Sequence, residues 1–238
     1  DVLFHLAAEK YNSSRSTPQA VIDTNISATA RLLQGASRAK VGQVVFTSSL
    51  YAYGATGPSP MRESQPLTPT TYYGMSKAAG ENLLRVAHRD HGLHWACARL
   101  FFVYGPMQYA DGGYKSVILS NFERLRRGEA PVINGSGEQR LDYVYIADVV
   151  AALRRLAEPS AAGATLNISS GSAPSINELT ALMQQVAGTD APPVHAPPDW
   201  TEDTVRLGDA ARARISLGWQ ATTQLSQGLQ DVWDWMNQ

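Results

Sequence analysis

Tyr73 and Lys77 stand four residues apart in "TYYGMSK" (71–77). On a helix, residues at that spacing share one face, a turn apart. A phenol of ordinary pKa, near ~10, is a poor base at neutral pH. A neighbouring ammonium favours the phenolate and lowers that value. Ser49 ends the apolar run "QVVFTSS" (43–49), upstream of the pair. A hydroxyl there can hydrogen-bond a reacting oxygen and share its proton traffic. The three groups suit removal of a proton from an alcohol while hydride leaves its carbon for a nicotinamide. Tyr-x-x-x-Lys by itself carries little, because many solvated helix faces contain it.

Such chemistry needs elements that bring a strand end and a helix together. "DVLFHLAA" (1–8), "QVVFTSS" (43–49) and "WACARLFFV" (95–103) read as strands. A helix is predicted over 18–39, where Val21, Ile22, Ile26, Ala30 and Leu33 recur at three to four residues. A second follows the Gly- and Pro-rich loop 54–69, holds Tyr73 and Lys77, and stops at Gly92. Near-continuous apolar strands alternating with helices imply parallel strands buried on both faces. Beyond Gly105-Pro106 the pattern predicts a loop (107–113), a helix (114–127), the short strand "PVING" and the turn "GSGEQ". A strand at 141–146, a helix at 147–158 and a strand at 164–171 follow. After these come a helix from Ser175, a Pro-rich stretch (192–198) and a closing amphipathic helix. The fold class expected is α/β, a doubly wound, Rossmann-like parallel sheet with a smaller α/β substrate domain. The core would be 1–105 plus 141–170, and the substrate share 106–140 plus 171–238.

The net charge is −1 and charges of both signs are interspersed, so neither a nucleic-acid footprint nor a membrane-surface patch is expected. No apolar run approaches the ~18–20 residues of a membrane span. Cys97 is the single cysteine. That excludes an internal disulfide and a cysteine-based zinc site, and it fits a reducing cytoplasm. His5, inside an apolar strand, reads as a satisfied core histidine. His88, His91 and His94 sit at a helix end, where imidazoles favour the C-terminal dipole, and no metal is expected.

Several segments, in order, resemble the extended short-chain dehydrogenase/reductase family, of the NAD-dependent nucleotide-sugar epimerase/dehydratase type. They are "HLAA" (5–8), Asn25, "FTSSLYAYG", "YYGMSKAAGE", "RLFFVYGP" (99–106), "GSGEQRLDYVYIADVV" and the closing "LGWQ…GLQDVWDW". The resemblance implies that Tyr73 is the base, that Lys77 holds the nicotinamide ribose and biases Tyr73, and that Ser49 binds the sugar hydroxyl. It also implies that Leu6, Ala7 and Ala8 line the cofactor with backbone. The family begins with a strand, a Gly-rich phosphate loop and a residue that reads the adenosine ribose, which separates NAD from NADP. This sequence starts, at Asp1, in what resembles the fourth strand. Roughly 60–70 residues, two to three strand–helix units, would precede it. The strand at 1–8 should then be an exposed edge unless something covers it, and the chain by itself should bind dinucleotide poorly.

Dehydratases of the family carry an acidic pair directly after the Ser/Thr. Leu50 and Tyr51 stand there instead, which disfavours dehydration. The activity implied is NAD-dependent epimerisation at carbon four of a nucleotide-activated hexose or uronate. A nucleotide-sugar reductase suits the trio equally well, and an idle scaffold is the rival from outside catalysis. Phe102 replaces a usual asparagine. Leu141-Asp142 replaces a usual Arg-Asp, with Arg140, a candidate substrate contact, one place earlier. Arg206 is a candidate diphosphate clamp, since a guanidinium pairs bidentately with phosphate oxygens. Lys115 lies where the family's substrate loop would be. The family pairs two subunits through helices corresponding to 18–39 and 72–91, where Ala78, Ala79 and Gly80 would allow close packing.

Overall fold

A computed structural model describes residues 1–54, 60–108 and 115–238. Its centre is a parallel sheet in the order β1 (Val2–His5), β2 (Gln43–Ser49), β3 (Trp95–Leu100), β8 (Thr165–Ile168). Side chains alternate across a strand, and here both faces are apolar. Val44, Phe46, Trp95 and Cys97 pack under α3 (Thr29–Arg38) and α4 (Tyr72–His91). Val45, Ala96 and Ala98 pack under α6 (Ile146–Leu156) and α8 (Ala211–Leu217). All of β2 is therefore buried, as its uninterrupted apolar run implies. A second core joins α5 (Val117–Arg126), α7 (Ile176–Ala187) and α9 (Leu225–Met236) through Phe122, Leu179, Met183 and Leu229.

Several elements differ from the sequence reading. The first strand ends at His5, and Val2 and Phe4 are 42% and 43% exposed. Side chains alternate along it, and the face that carries Val2 and Phe4 is left exposed while His5 on the other is buried. The run 95–103 is broken. Phe101 N donates to Ile168 O, while Phe102 N donates to Asp142 O, and β4 (Phe102–Tyr104) leaves the main sheet to pair with β7 (Tyr143–Tyr145). The segment 141–146 likewise divides into β6 (Arg140–Leu141) and β7. Ile146 already belongs to α6. The Pro-rich stretch contains β9 (Val194–Ala196), which pairs with β5 (Val132–Asn134). β10 (Val205–Arg206) pairs with β6. Strands this short have too few residues to show a period.

The helix expected over 18–39 is α2 (Pro18–Val21), a π-helical segment (Ile22–Ala28) and α3. A π turn is rare, and it commonly marks a functional position. Ala78 and Gly80 are buried within this chain, and a Cβ on Gly80 would strike the Phe46 ring. Gly80 thus lets α4 approach β2. Most of the loop expected at 107–113 lies outside the described residues.

One buried polar network ties α4 to β2 and β3. Arg99 of β3 donates from Nε to Glu81 Oε1 and from Nη2 to Glu81 Oε2, both at 2.8 Å. Ser48 Oγ donates to the same carboxylate at 2.7 Å. Arg99 also reaches Tyr53 Oη at 2.8 Å, and Tyr53 donates to Asn167 Oδ1. Glu81 is 0% exposed and Arg99 3%. Removing one partner of a buried pair strands the other charge, at a cost of about 3–5 kcal/mol. Arg99→Leu should therefore lower stability by about that amount in chemical denaturation. Arg99→Leu with Glu81→Leu should recover much of the loss, because an apolar pair leaves no charge stranded.

Candidate active site

Ser49 is the last residue of β2 and caps a short 3-10 turn, Leu50–Tyr53, accepting from Tyr51 N. α4 begins beside it. Thr71 caps that helix by accepting from Gly74 N at 3.0 Å. Gly74 lies against the carbonyl of Tyr51, and a Cβ there would overlap that backbone. Glycine is thus required for the helix start to reach the end of β2. Tyr73 is brought to Ser49, whose side chain hydrogen-bonds it. One turn on, Lys77 donates to Thr47 O at 2.7 Å, with Nζ 5.7 Å from the centre of the Tyr73 ring.

The electrostatics depart from the sequence expectation. The Tyr73 phenol is raised, not lowered: burial opposes its ionisation, and the Ser49 hydrogen bond offsets only part. Lys77 is pushed down to about 8 by its own burial, with the Cys97 thiol acting weakly the other way. An ammonium that turns to a backbone carbonyl inside the protein supplies less positive field to the phenol than the spacing suggests.

Asn25 sits in the π-helical segment and reaches inward. It accepts from Glu9 N at 2.7 Å and donates to Glu9 O and Ser76 Oγ, both at 3.0 Å. Ser76 in turn donates to Tyr73 O. One buried amide thus ties the segment after β1 to the helix that carries Tyr73. His5 packs behind, its Nε2 2.8 Å from Thr29 Oγ1.

These groups open on a cleft of about 630 Å³ between the two cores. Ser49, Tyr73, Lys77, Leu6, Ala8 and Lys115 line it. Ala7 is not among the lining residues. Lys115 is partly exposed and paired with Glu123. Arg140 is not in the wall either. Its guanidinium bonds Glu178 and Ala173 O. Phe102 and Leu141, where the family usually has polar residues, line the cleft with carbon. Arg206 is 9% exposed and lies against two rings that do line it, 5.6 Å from Tyr51 and 5.2 Å from Trp200. Its Nε has no hydrogen-bond partner among the described residues, and burial lowers its pKa. A guanidinium so placed lacks the anion that such burial ordinarily requires.

Asp142 anchors this wall. Fully buried, its carboxylate accepts from Ser170 N and Oγ, Gly171 N and Gly208 N. Burial still lifts its pKa above the usual range. Glu81 and Arg99 were not singled out from the sequence, although Glu81 continues the Tyr73–Lys77 spacing by one turn. Tyr11 and Trp200 carry no local signal at all.

Lys77 supplies a test that needs no substrate. Its folded pKa is about 8 and its ordinary value 10.5. Below about 8 both states are protonated and the burial cost is complete. Between the two values the unfolded chain holds the proton and the folded one does not, so stability rises with pH. At ~1.36 kcal/mol per unit, the cost is at most about 3 kcal/mol. Lys77→Met should therefore be more stable than the parent at pH 7, with the difference closing above pH ~8; denaturation curves over pH 6–10 check it. Gly74→Ala should separate Tyr73 from Ser49 and lower activity more than stability.

Known proteins resemble this chain in sequence and in fold. A profile of the NAD dependent epimerase/dehydratase family matches residues 1–169. The UDP-glucose 4-epimerase of Mycolicibacterium smegmatis is 34% identical over 96% of this chain and 74% of its own length. The crystal structure of the Thermotoga maritima UDP-glucose 4-epimerase with UDP-glucose superposes with a TM-score of 0.91. It is 31% identical, and the match covers 99% of this chain and 77% of that one. The UDP-N-acetylglucosamine 4-epimerase of Methanobrevibacter ruminantium, in complex with UDP-N-acetylmuramic acid, gives 0.94 at 27% identity, over 100% and 76% of the two chains. With a family profile over residues 1–169 and a relative 34% identical over 96% of it, this chain belongs to the NAD dependent epimerase/dehydratase family.

Proposed function

We propose that this chain catalyses NAD-dependent 4-epimerisation of a nucleotide-activated sugar, a UDP-hexose or uronate, through a transient keto-sugar. The observation that carries the reading is that Ser49, Tyr73 and Lys77 come together at the wall of one cleft, with Ser49 close enough to act on the Tyr73 phenol and Lys77 one turn along the helix. The similarity to UDP-sugar 4-epimerases supports the substrate class.

The residues present fit a dinucleotide. Thr47 O takes one of the three N–H donors of Lys77, and the others suit ribose hydroxyls. Leu6 and Ala8, in the wall beside it, suit the nicotinamide end, with Ala7 contributing backbone only. NAD, when bound, would supply the acceptor and donor of hydride. Tyr73 then takes the proton of the sugar hydroxyl, and Ser49 holds that oxygen. Tyr73 must ionise from a raised starting point, so the positive surroundings matter to the rate. Arg206 is the anion partner for the diphosphate, with Lys115 at the mouth. Leu50 and Tyr51, in place of an acidic pair, leave no second acid or base for loss of water. The exposed Tyr72, Met75 and Val86 of α4 support pairing of two copies through segments 18–39 and 72–91.

With UDP-glucose and NAD, proton NMR of the sugar anomeric region should show conversion to the 4-epimer with no net change in cofactor redox state. Tyr73→Phe should lower the rate by about 10²–10⁴-fold, as loss of a general base does, while leaving UDP affinity unchanged. Net consumption of NADH or NADPH would instead establish a reductase.

A further inference from the structure

Tyr11, Tyr51 and Trp200 come from three distant segments and meet beside Tyr73. Tyr11 follows β1. Tyr51 lies in the turn after Ser49. Trp200 lies between β9 and β10. The Tyr11 ring is 4.8 Å from Tyr51 and 5.1 Å from Trp200, and Tyr51 is 5.6 Å from Trp200. Tyr51 meets the catalytic phenol edge-on, at 5.6 Å and 81°. All four line the cleft, and none of the four is fully buried. A rim cluster of this kind is no ordinary core. Tyr11 belongs to the lip next to the main sheet. Trp200 belongs to the opposite lip, where Asp199 accepts from Asn134 Nδ2 and Thr201 N. The indole therefore bridges the cleft at its reacting end. The same indole and Tyr51 hold Arg206, so an anion at the guanidinium and a sugar at the rings meet one assembly.

We propose that Trp200, packed at a tilt against Tyr11 and Tyr51, is an aromatic gate that opens to admit the nucleotide sugar. It then closes on the apolar face of the sugar ring and retains the keto-sugar beside Tyr73. The proposal rests on the epimerase reading above. An epimerase has to hold its oxidised sugar while the ring turns over, and a cleft open to water at that end would lose it. Ring pairs are individually weak and geometrically specific, which suits a contact that must open in each cycle.

Two measurements test it. In the full chain without cofactor, UDP-glucose should change tryptophan emission more than UDP does, and Trp200→Phe should remove that difference. With NAD present, the keto-sugar that escapes is trapped from the medium by a hydrazide reagent and counted per epimerisation event. Trp200→Ala should raise that escape by about tenfold, while Trp200→Phe, which keeps a ring, should stay within about twofold. An emission difference that persists in Trp200→Phe overturns the gate, as does a Trp200→Ala protein that folds and retains keto-sugar like the parent. Should the parent interconvert no sugar at all, the epimerase reading fails, and the emission arm decides the gate by itself.

Discussion

A buried carboxylate and guanidinium, Glu81 and Arg99, hold α4 to the sheet. Glu81 lies on α4 one turn beyond Lys77. Ser48, its third partner, is the neighbour of Ser49. The pair thus sets the register between the helix that carries Tyr73 and Lys77 and the strand that ends in Ser49. An apolar interface alone is non-directional and tolerates sliding. Two parallel N–H···O bonds do not. Tyr53 and Asn167 extend the same network to β8, so three strands and one helix share a single set of polar constraints.

Close approach is the second condition. Gly74 and Gly80 remove the Cβ atoms that would hold α4 away from Tyr51 and Phe46. Asn25 then ties the segment after β1 to Ser76, and through it to the backbone of Tyr73. The π-helical turn at Ile22–Ala28 is where that amide faces inward, and a local departure from regular helix here serves the site. The cost of the arrangement falls on Lys77, whose ammonium is kept in a buried setting that opposes its charge. Stability and function pull apart at this residue.

Much of the fold was legible. β2 and β3 read as long apolar runs because both faces are covered, and α4 read from its Gly92 stop and its periodic apolar face. The strand breaks at Phe101 and Asp142 were not legible, since each depends on which carbonyl from a distant strand meets the next amide. β9 and β10 are three and two residues long, shorter than any pattern. Within the site, Ser49, Tyr73 and Lys77 were found from spacing and residue type. Arg140 was named as a substrate contact, yet it faces Glu178, because the surface carboxylate on α7 captures it.

By itself the sequence determined the α/β alternation, the trio and its chemical class, since these follow from local periodicity and from residue types at fixed offsets. The tertiary structure alone decided the environment of those groups. Burial raises Tyr73 and lowers Lys77, reversing the shift that spacing suggested for the phenol. It also assembled Tyr11, Tyr51, Trp200 and Arg206 around one point of the cleft. Desolvation and long-range convergence depend on what the rest of the chain places around a residue, and no window of neighbouring residues contains that information.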